Sequence, residues 1–128
     1  MFAKNTYMNE ITKAQEEVLM AIWDINEGAV SDVLDKMPDP KPAYTTIATV
    51  IKVLEKKAYV AHKTFGKTNV YYPMVSKEAY AKFVTKHTVK GLFNGSFNLM
   101  VSSFVKDKNL SIKELEELKT LIENEINK

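Results

Sequence analysis

The sequence predicts a mainly α-helical protein with one small β-hairpin: a winged helix-turn-helix over residues 1–75, then a helical dimerisation segment over residues 76–128. Three observations carry this expectation. A helical apolar stripe at Ile47, Val50, Ile51 and Leu54 runs directly into two short β-prone runs. The charge balance changes sign between residues 40 and 41. The chain after Val75 carries several apolar stripes but little further chain to cover them.

Taken in order, Thr12 and Gln15 have the spacing of a capping box, in which the hydroxyl and the amide each satisfy a free backbone N–H at a helix start. Ala14, Val18, Leu19, Ile22 and Trp23 then give an inward stripe, ended by Asn26, Glu27 and Gly28. Ser31 is placed to cap a shorter helix with Val33, Leu34 and Met37 inward. Pro38, Pro40 and Pro42 preclude continuous helix, so Met37 to Lys41 forms a turn that sets the angle of the next element. That element is AYTTIATVIKVLEKKAYV, Ala43 to Val60. Tyr59 to Phe65 and Asn69 to Met74 follow as strands joined at Gly66, Lys67 and Thr68.

Beyond the hairpin, Ser76 caps a helix carrying Tyr80, Phe83 and Val84, and Asn94, Gly95 and Ser96 break it. Phe97, Met100, Val101, Phe104 and Val105 form the next stripe, Lys106 to Asn109 a polar turn. Ser111 and Glu114 make a second capping box before a last helix with Leu115, Leu118, Ile122 and Ile126 on one face and Leu121 beside it. Burial of Phe83, Phe97, Met100, Val101, Phe104, Leu115, Leu118 and Ile122 against a second copy is the expected outcome, and two-fold symmetry follows. Folding back on the winged domain in a monomer is the alternative.

On the helix from Ala43, residues Thr45, Thr46, Ala48, Thr49, Lys52 and Lys56 fall mostly outside the stripe. Small hydroxyl and methyl groups there approach base edges closely, and the lysines neutralise phosphates. The hairpin tip would add Lys63, Lys67, Thr68 and Asn69. Glu10 to Pro40 holds two lysines against eight acids, a net charge of −6; Lys41 to Val75 holds six lysines against Glu55, a net of +5. A polyanion is therefore drawn to the third helix and the hairpin and repelled by the first two helices. The partner expected is double-stranded DNA bearing an inverted repeat, since a dimer sets two such helices about 34 Å apart or a multiple of it. The competing reading is a winged-helix protein-interaction module that takes an acidic partner on the same basic face.

Every one of the 18 basic residues is lysine. Without arginine there is no planar fork for guanine, so specificity has to rest on Thr, Asn and Tyr contacts, thymine methyls, single lysine contacts and DNA shape, which favours A·T-rich sites; a genome-wide codon bias towards lysine is the alternative source of this composition. The absence of cysteine excludes disulfides, thiolate catalysis and cysteine-ligated zinc. With no signal peptide and no apolar run of about 18 residues, a cytoplasmic location without membrane insertion is expected. His62 and His87 are the sole imidazoles, 25 residues apart, and no metalloprotease, nucleophile-elbow or phosphate-loop motif occurs. No catalytic residue, cofactor or metal site is expected.

The stretch ITKAQEEVLMAIWDINEGAVSDVL resembles the opening signature of the BlaI/MecI family of penicillinase repressors. AYTTIATVIKVLEKKAYV resembles its recognition-helix motif, with Ala43 to Thr46 and the Thr49–Val50 pair in matching positions; SFNLMVSSFV and LSIKELEELKTLIE resemble its dimerisation region. The likeness covers nearly the whole chain. It implies transcriptional repression from a dyad operator, with DNA contacts at Tyr44, Thr45, Thr46, Thr49 and Lys52 and a wing around Lys63 to Lys67. It also implies relief of repression by cleavage in the dimerisation region after signalling by a membrane metalloprotease sensor, and the bond that aligns is Ser103–Phe104. Metal control through paired cysteines, as in the copper-responsive sibling branch, is excluded. Two departures stand out: Val53-Leu54 where many members have Arg-Leu, and Lys57-Ala58 where many have Lys-Gly. The first removes a phosphate contact, and the second puts a Cβ where glycine enters the left-handed region freely.

Overall fold

The computed structural model describes residues 8–128, arranged as α1 (Lys13–Ile25), α2 (Val30–Lys36), α3 (Tyr44–Lys56), β1 (Val60–Phe65), β2 (Thr68–Pro73), α4 (Lys77–Leu92), α5 (Phe97–Lys106) and α6 (Ile112–Ile126). Mainly helical with a single antiparallel hairpin, it has the predicted fold class. Two compact units divide it, the first ending at Phe83 and the second running from Val84 to Lys128. The break falls inside α4, eight residues past the boundary expected from sequence, because Tyr80 is buried in the first unit's core and Phe83 packs at its edge.

Local chemistry sets the ends of the helices. Thr12 Oγ1 accepts from the Gln15 N–H at 3.2 Å while the Gln15 side chain accepts from the Thr12 N–H at 3.0 Å, the expected reciprocal cap on α1. The cap of α2 differs from expectation. Ala29, not Ser31, is the N-cap, and the Asp32 carboxylate accepts from the Ala29 N–H at 2.9 Å. A carboxylate at the third helical position reaches back and also favours the positive end of the helix dipole, so no hydroxyl is needed.

The core of the first unit joins all three leading helices to the hairpin. Val18, Leu19 and Ile22 from α1, Val33 from α2, and Ile47, Ile51 and Leu54 from α3 are almost wholly removed from water, with Tyr59, Val60, Tyr71 and Val75 closing the space. Ala14 faces solvent, and Ala21 takes the inward place on α1. An aromatic group links α1 to the start of α4: the Tyr80 ring lies 5.8 Å from both Trp23 and Tyr59, and Trp23 Nε1 donates to the Val75 carbonyl at 2.9 Å. Such paired rings each add a fraction of a kcal/mol to about 1.5 kcal/mol beyond their burial.

The hairpin pairs Val60 with Pro73 through Phe65 with Thr68, so Thr68 belongs to β2 and the turn is the two residues Gly66 and Lys67. Gly66 has φ +62°, which suits a two-residue turn that twists with its strands. The hairpin is tied to the rest of the unit through backbone: Gly28 N–H donates to the Tyr71 carbonyl at 3.0 Å and Tyr71 N–H donates to the Gly28 carbonyl at 2.8 Å. A Cβ on Gly28 would lie 2.8 Å from the Asp32 Cβ, so this close approach demands glycine.

The turn into β1 explains how the chain manages without glycine after α3. Ala58 has φ +67°, its N–H donates to the Glu55 carbonyl at 3.0 Å, and the Tyr59 N–H donates to the Leu54 carbonyl at 2.9 Å. This is a Schellman closure with alanine in the left-handed position, so the turn keeps its geometry and carries the Cβ strain.

In the second unit, Ser96 caps α5 and Ser111 with Glu114 forms the expected box on α6. The Ser111 backbone N–H, which donates to the Glu114 carboxylate, and then the Ser111 hydroxyl beside it hold that carboxyl below its ordinary range. Val101 and Val105 of α5 and Leu115, Leu118 and Ile122 of α6 line a groove of about 380 Å³, and Phe97, Phe104, Leu121 and Ile126 stay exposed. Among the described residues, no helix is long and apolar enough to cross a membrane.

Candidate nucleic-acid interface

Helix α3 has two faces of opposite character. Ile47, Ile51 and Leu54, at i, i+4 and i+7, are buried. Thr45, Thr49, Lys52 and Lys56, at i, i+4, i+7 and i+11, form the exposed stripe on the far side. Tyr44 and Ala48 lie on the flank towards the hairpin and Thr46 on the opposite flank. The Thr49 hydroxyl donates to the Thr45 carbonyl at 2.9 Å, which spends its proton within the helix and leaves its methyl and lone pairs outward. Thr49 thus offers an apolar contact and an acceptor, while its donor is already used.

The lysines of this half of the chain divide by role. Lys52, Lys56 and Lys67 are exposed and make no hydrogen bond or ion pair with any described residue. Lys41 Nζ instead donates to the carbonyls of Asp35 at 3.0 Å and Met37 at 2.8 Å, satisfying the open end of α2. Lys57 Nζ crosses to α1 and donates to the Glu10 carbonyl at 3.0 Å and the Gln15 side chain at 3.1 Å. Lys63 pairs with Glu27 at 3.1 Å and lies 5.6 Å from the centre of the Phe65 ring. Sequence position alone could not separate these groups, since each has the same side chain in the same basic region.

Glu55, the lone acid between residues 41 and 75, is also accounted for. Its carboxylate meets His62 Nδ1 on β1, which turns the one carboxylate of α3 to the hairpin and fastens the hairpin to the helix. The His62 ring sits 5.5 Å from that of Tyr71, its partner in the register.

Helix α3, the hairpin and the start of α2 line a cleft of about 420 Å³, with Tyr44, Ala48 and Lys52 from α3, Lys67, Thr68, Asn69 and Tyr71 from the hairpin, and Ala29, Val30 and Ser31 from the start of α2. Two lysines without anionic partners line it with hydroxyl, amide and phenol groups, and no carboxylate. Lys67, Thr68 and Asn69 are the members expected from the hairpin tip, whereas Ala29, Val30, Ser31 and Tyr71 carry no sequence signal for this site.

The expected assembly residues lie elsewhere. Phe97, Val101, Phe104, Leu118 and Ile122 are exposed on α5 and α6, with Met100 and Leu115 partly covered, whereas Phe83 packs on the first unit. Ser103 and Phe104 sit inside α5, where the Ser103 hydroxyl donates to the Met100 carbonyl at 2.8 Å.

Residues 11–124 match the family described as penicillinase repressor. The methicillin resistance regulatory protein MecI of Staphylococcus aureus is 29% identical over 114 residues, covering 88% of this chain and 93% of its own length. The penicillinase repressor of Bacillus licheniformis is 30% identical over 122 residues, covering 93% and 94%. Among solved structures, a MarR mutant from E. coli complexed with operator DNA is 17% identical with a TM-score of 0.48, covering 90% of this chain and 75% of that one.

Proposed function

Given that this chain belongs to the penicillinase repressor family, a family of transcriptional repressors and not of enzymes, we propose that it represses transcription as a cytoplasmic homodimer on an inverted-repeat DNA operator. The observation that carries the reading is the α3 stripe of Thr45, Thr49, Lys52 and Lys56, set opposite the buried Ile47, Ile51 and Leu54, with the Glu55 carboxylate turned to His62 on the hairpin. Thr45 and Thr49 meet base edges in the major groove, and Lys52 and Lys56 neutralise phosphates beside it. Tyr44, Thr46 and Ala48 flank the contact, and Lys63 and Lys67 extend it along the hairpin.

The apolar faces of α5 and α6 supply the second half of the mechanism. Phe97, Val101, Phe104, Leu118 and Ile122 are buried against a second copy, which couples two recognition helices and gives the pair an affinity that neither has alone. Cleavage of the Ser103–Phe104 bond, downstream of a membrane metalloprotease sensor, separates α6 from that contact and releases the operator. Since the bond lies within α5, the helix has to open locally before a protease can take it.

Gel-shift titration of the full chain against DNA upstream of its own gene, at two salt concentrations, tests this. About six phosphate contacts give a slope near −5 of log affinity against log salt. Binding of no inverted repeat, with no salt-dependent preference between sequences, would overturn the proposal.

A further inference from the structure

The hairpin carries one feature that phosphate neutralisation does not use. Phe65, the last residue of β1, is 59% exposed at the turn and touches no part of the apolar core. Exposing a large aromatic ring forfeits about 1.5–3 kcal/mol of available burial, so its place at the tip is informative. The hairpin itself holds no acid from Val60 to Pro73; of its two lysines Lys63 is paired with Glu27, and Lys67, in the turn next to Phe65, is unpaired. Lys63 Nζ lies 5.6 Å from the Phe65 ring.

The cleft described above gives this ring a destination. A duplex lying on the α3 stripe presents a major groove to Thr45 and Thr49, and the sugar-phosphate ridge bounding that groove is what the cleft's free Lys52 and Lys67 would hold. Across the ridge lies the minor groove. Phe65 pairs with Thr68 at the end of the hairpin, beside the turn that carries Lys67, and is no part of the cleft lining. An apolar side chain delivered to the minor groove partly unstacks a base step and bends the duplex, at a cost that depends on the step. Pyrimidine–purine steps such as TA open most readily, and a chain without arginine has greater need of readout by deformability.

We propose that Phe65 is a minor-groove wedge, which gives this protein a preference for operators with a flexible pyrimidine–purine step beneath the hairpin. This rests on the DNA-binding reading above and adds to it a specificity-determining residue.

The test uses the full chain and DNA selected by it from a random library. In the selected sequence, the step beneath the hairpin is placed by footprinting, then made TA or a stiff AA, with 2-aminopurine next to it. Wild type should bind the TA form about ten-fold more tightly than the AA form and raise the 2-aminopurine fluorescence. Phe65→Ala should bind both equally and leave the probe quenched, and Phe65→Leu should keep part of the preference; unchanged circular dichroism shows that each variant is folded. If Phe65→Ala kept the wild-type preference, or wild type bound tightly without unstacking the probe, the wedge would be wrong while the repressor reading stood. Failure of wild type to enrich any sequence would overturn both.

Discussion

Glu55 and His62 meet at 2.5 Å between the last turn of α3 and the first strand of the hairpin. An ionised carboxylate only accepts, so the imidazole Nδ1 carries the proton, and the pair sets the angle at which the hairpin leaves α3. Both side chains are about one-third exposed, 36% and 32%. The pair therefore adds little stability, about 1 kcal/mol or less. Its contribution is to pre-organise the cleft. His62→Ala is expected to leave the urea midpoint nearly unchanged and to weaken operator binding roughly three- to ten-fold, since the hairpin then has to be ordered on binding. A loss of stability with full affinity would refute this division.

Ala58 is strained at φ +67° in a closure whose two backbone hydrogen bonds are already made. Glycine removes the Cβ penalty of about 1–2 kcal/mol but gains entropy in the unfolded chain worth about half of that. Ala58→Gly should therefore stabilise the first unit by about 0.5–1 kcal/mol. Trp23, the single tryptophan, sits in that unit and reports its urea unfolding directly. Equal or lower stability would mean that the left-handed turn is not held in solution.

Features set by near neighbours could be read from the sequence. The caps Thr12–Gln15 and Ser111–Glu114 join residues three apart, and the α3 stripe is a matter of period, so spacing suffices. What escaped depends on contacts across the chain. The Gly28–Tyr71 backbone bridge spans 43 residues and leaves no mark beyond a glycine that also ends a helix. Lys57 reaches Gln15 across 42 residues, and Ser31 was outcompeted by an Asp32 carboxylate one residue away. The net charge of Lys41 to Val75 gives the sign of this surface, but three of its six lysines, Lys41, Lys57 and Lys63, are engaged within the fold.

That distinction between lysines can be measured. Lys52→Ala removes an exposed, unpaired cation and should lower the slope of log affinity against log salt by about 1 while leaving stability intact. Lys57→Ala should do the reverse, because its ammonium satisfies the Glu10 carbonyl and the Gln15 amide oxygen and makes no approach to the α3 outer stripe. Destabilisation of about 1 kcal/mol with an unchanged salt slope is expected. Equal slopes for the two variants would contradict the assignment.

The Tyr80 hydroxyl donates to a Glu16 carboxylate oxygen at 2.5 Å, and burial first, then this hydrogen bond and the carboxylate's charge, push its ionisation well above the ordinary tyrosine value. Burial raises Tyr59 as well. The unfolded chain releases these protons near the ordinary value of about 10, so the stability they carry is intact below that pH and is lost progressively above it. The Trp23-reported urea midpoint should fall from about pH 10 upward, and Tyr80→Phe should make that fall shallower. Identical alkaline profiles for the two proteins would refute a raised Tyr80.

Phe83 and Leu118 share the apolar character expected of assembly residues, and the fold separates them. Phe83 packs against the first unit's core, whereas Leu118 lines the groove on the second unit and is 39% exposed. Phe83→Ala should cost about 1–3 kcal/mol in the Trp23-reported transition, the amount for a partly buried aromatic, and leave the sedimentation coefficient unchanged. Leu118→Glu places a charge on the α5–α6 face, where dimer burial would strip its water. It should yield monomers with an unaltered Trp23 transition and a collapse of operator affinity, because two half-sites then bind without coupling. A dimeric Leu118→Glu variant would show that the copies meet elsewhere, and a monomeric one that still held the operator tightly would break the link between assembly and repression.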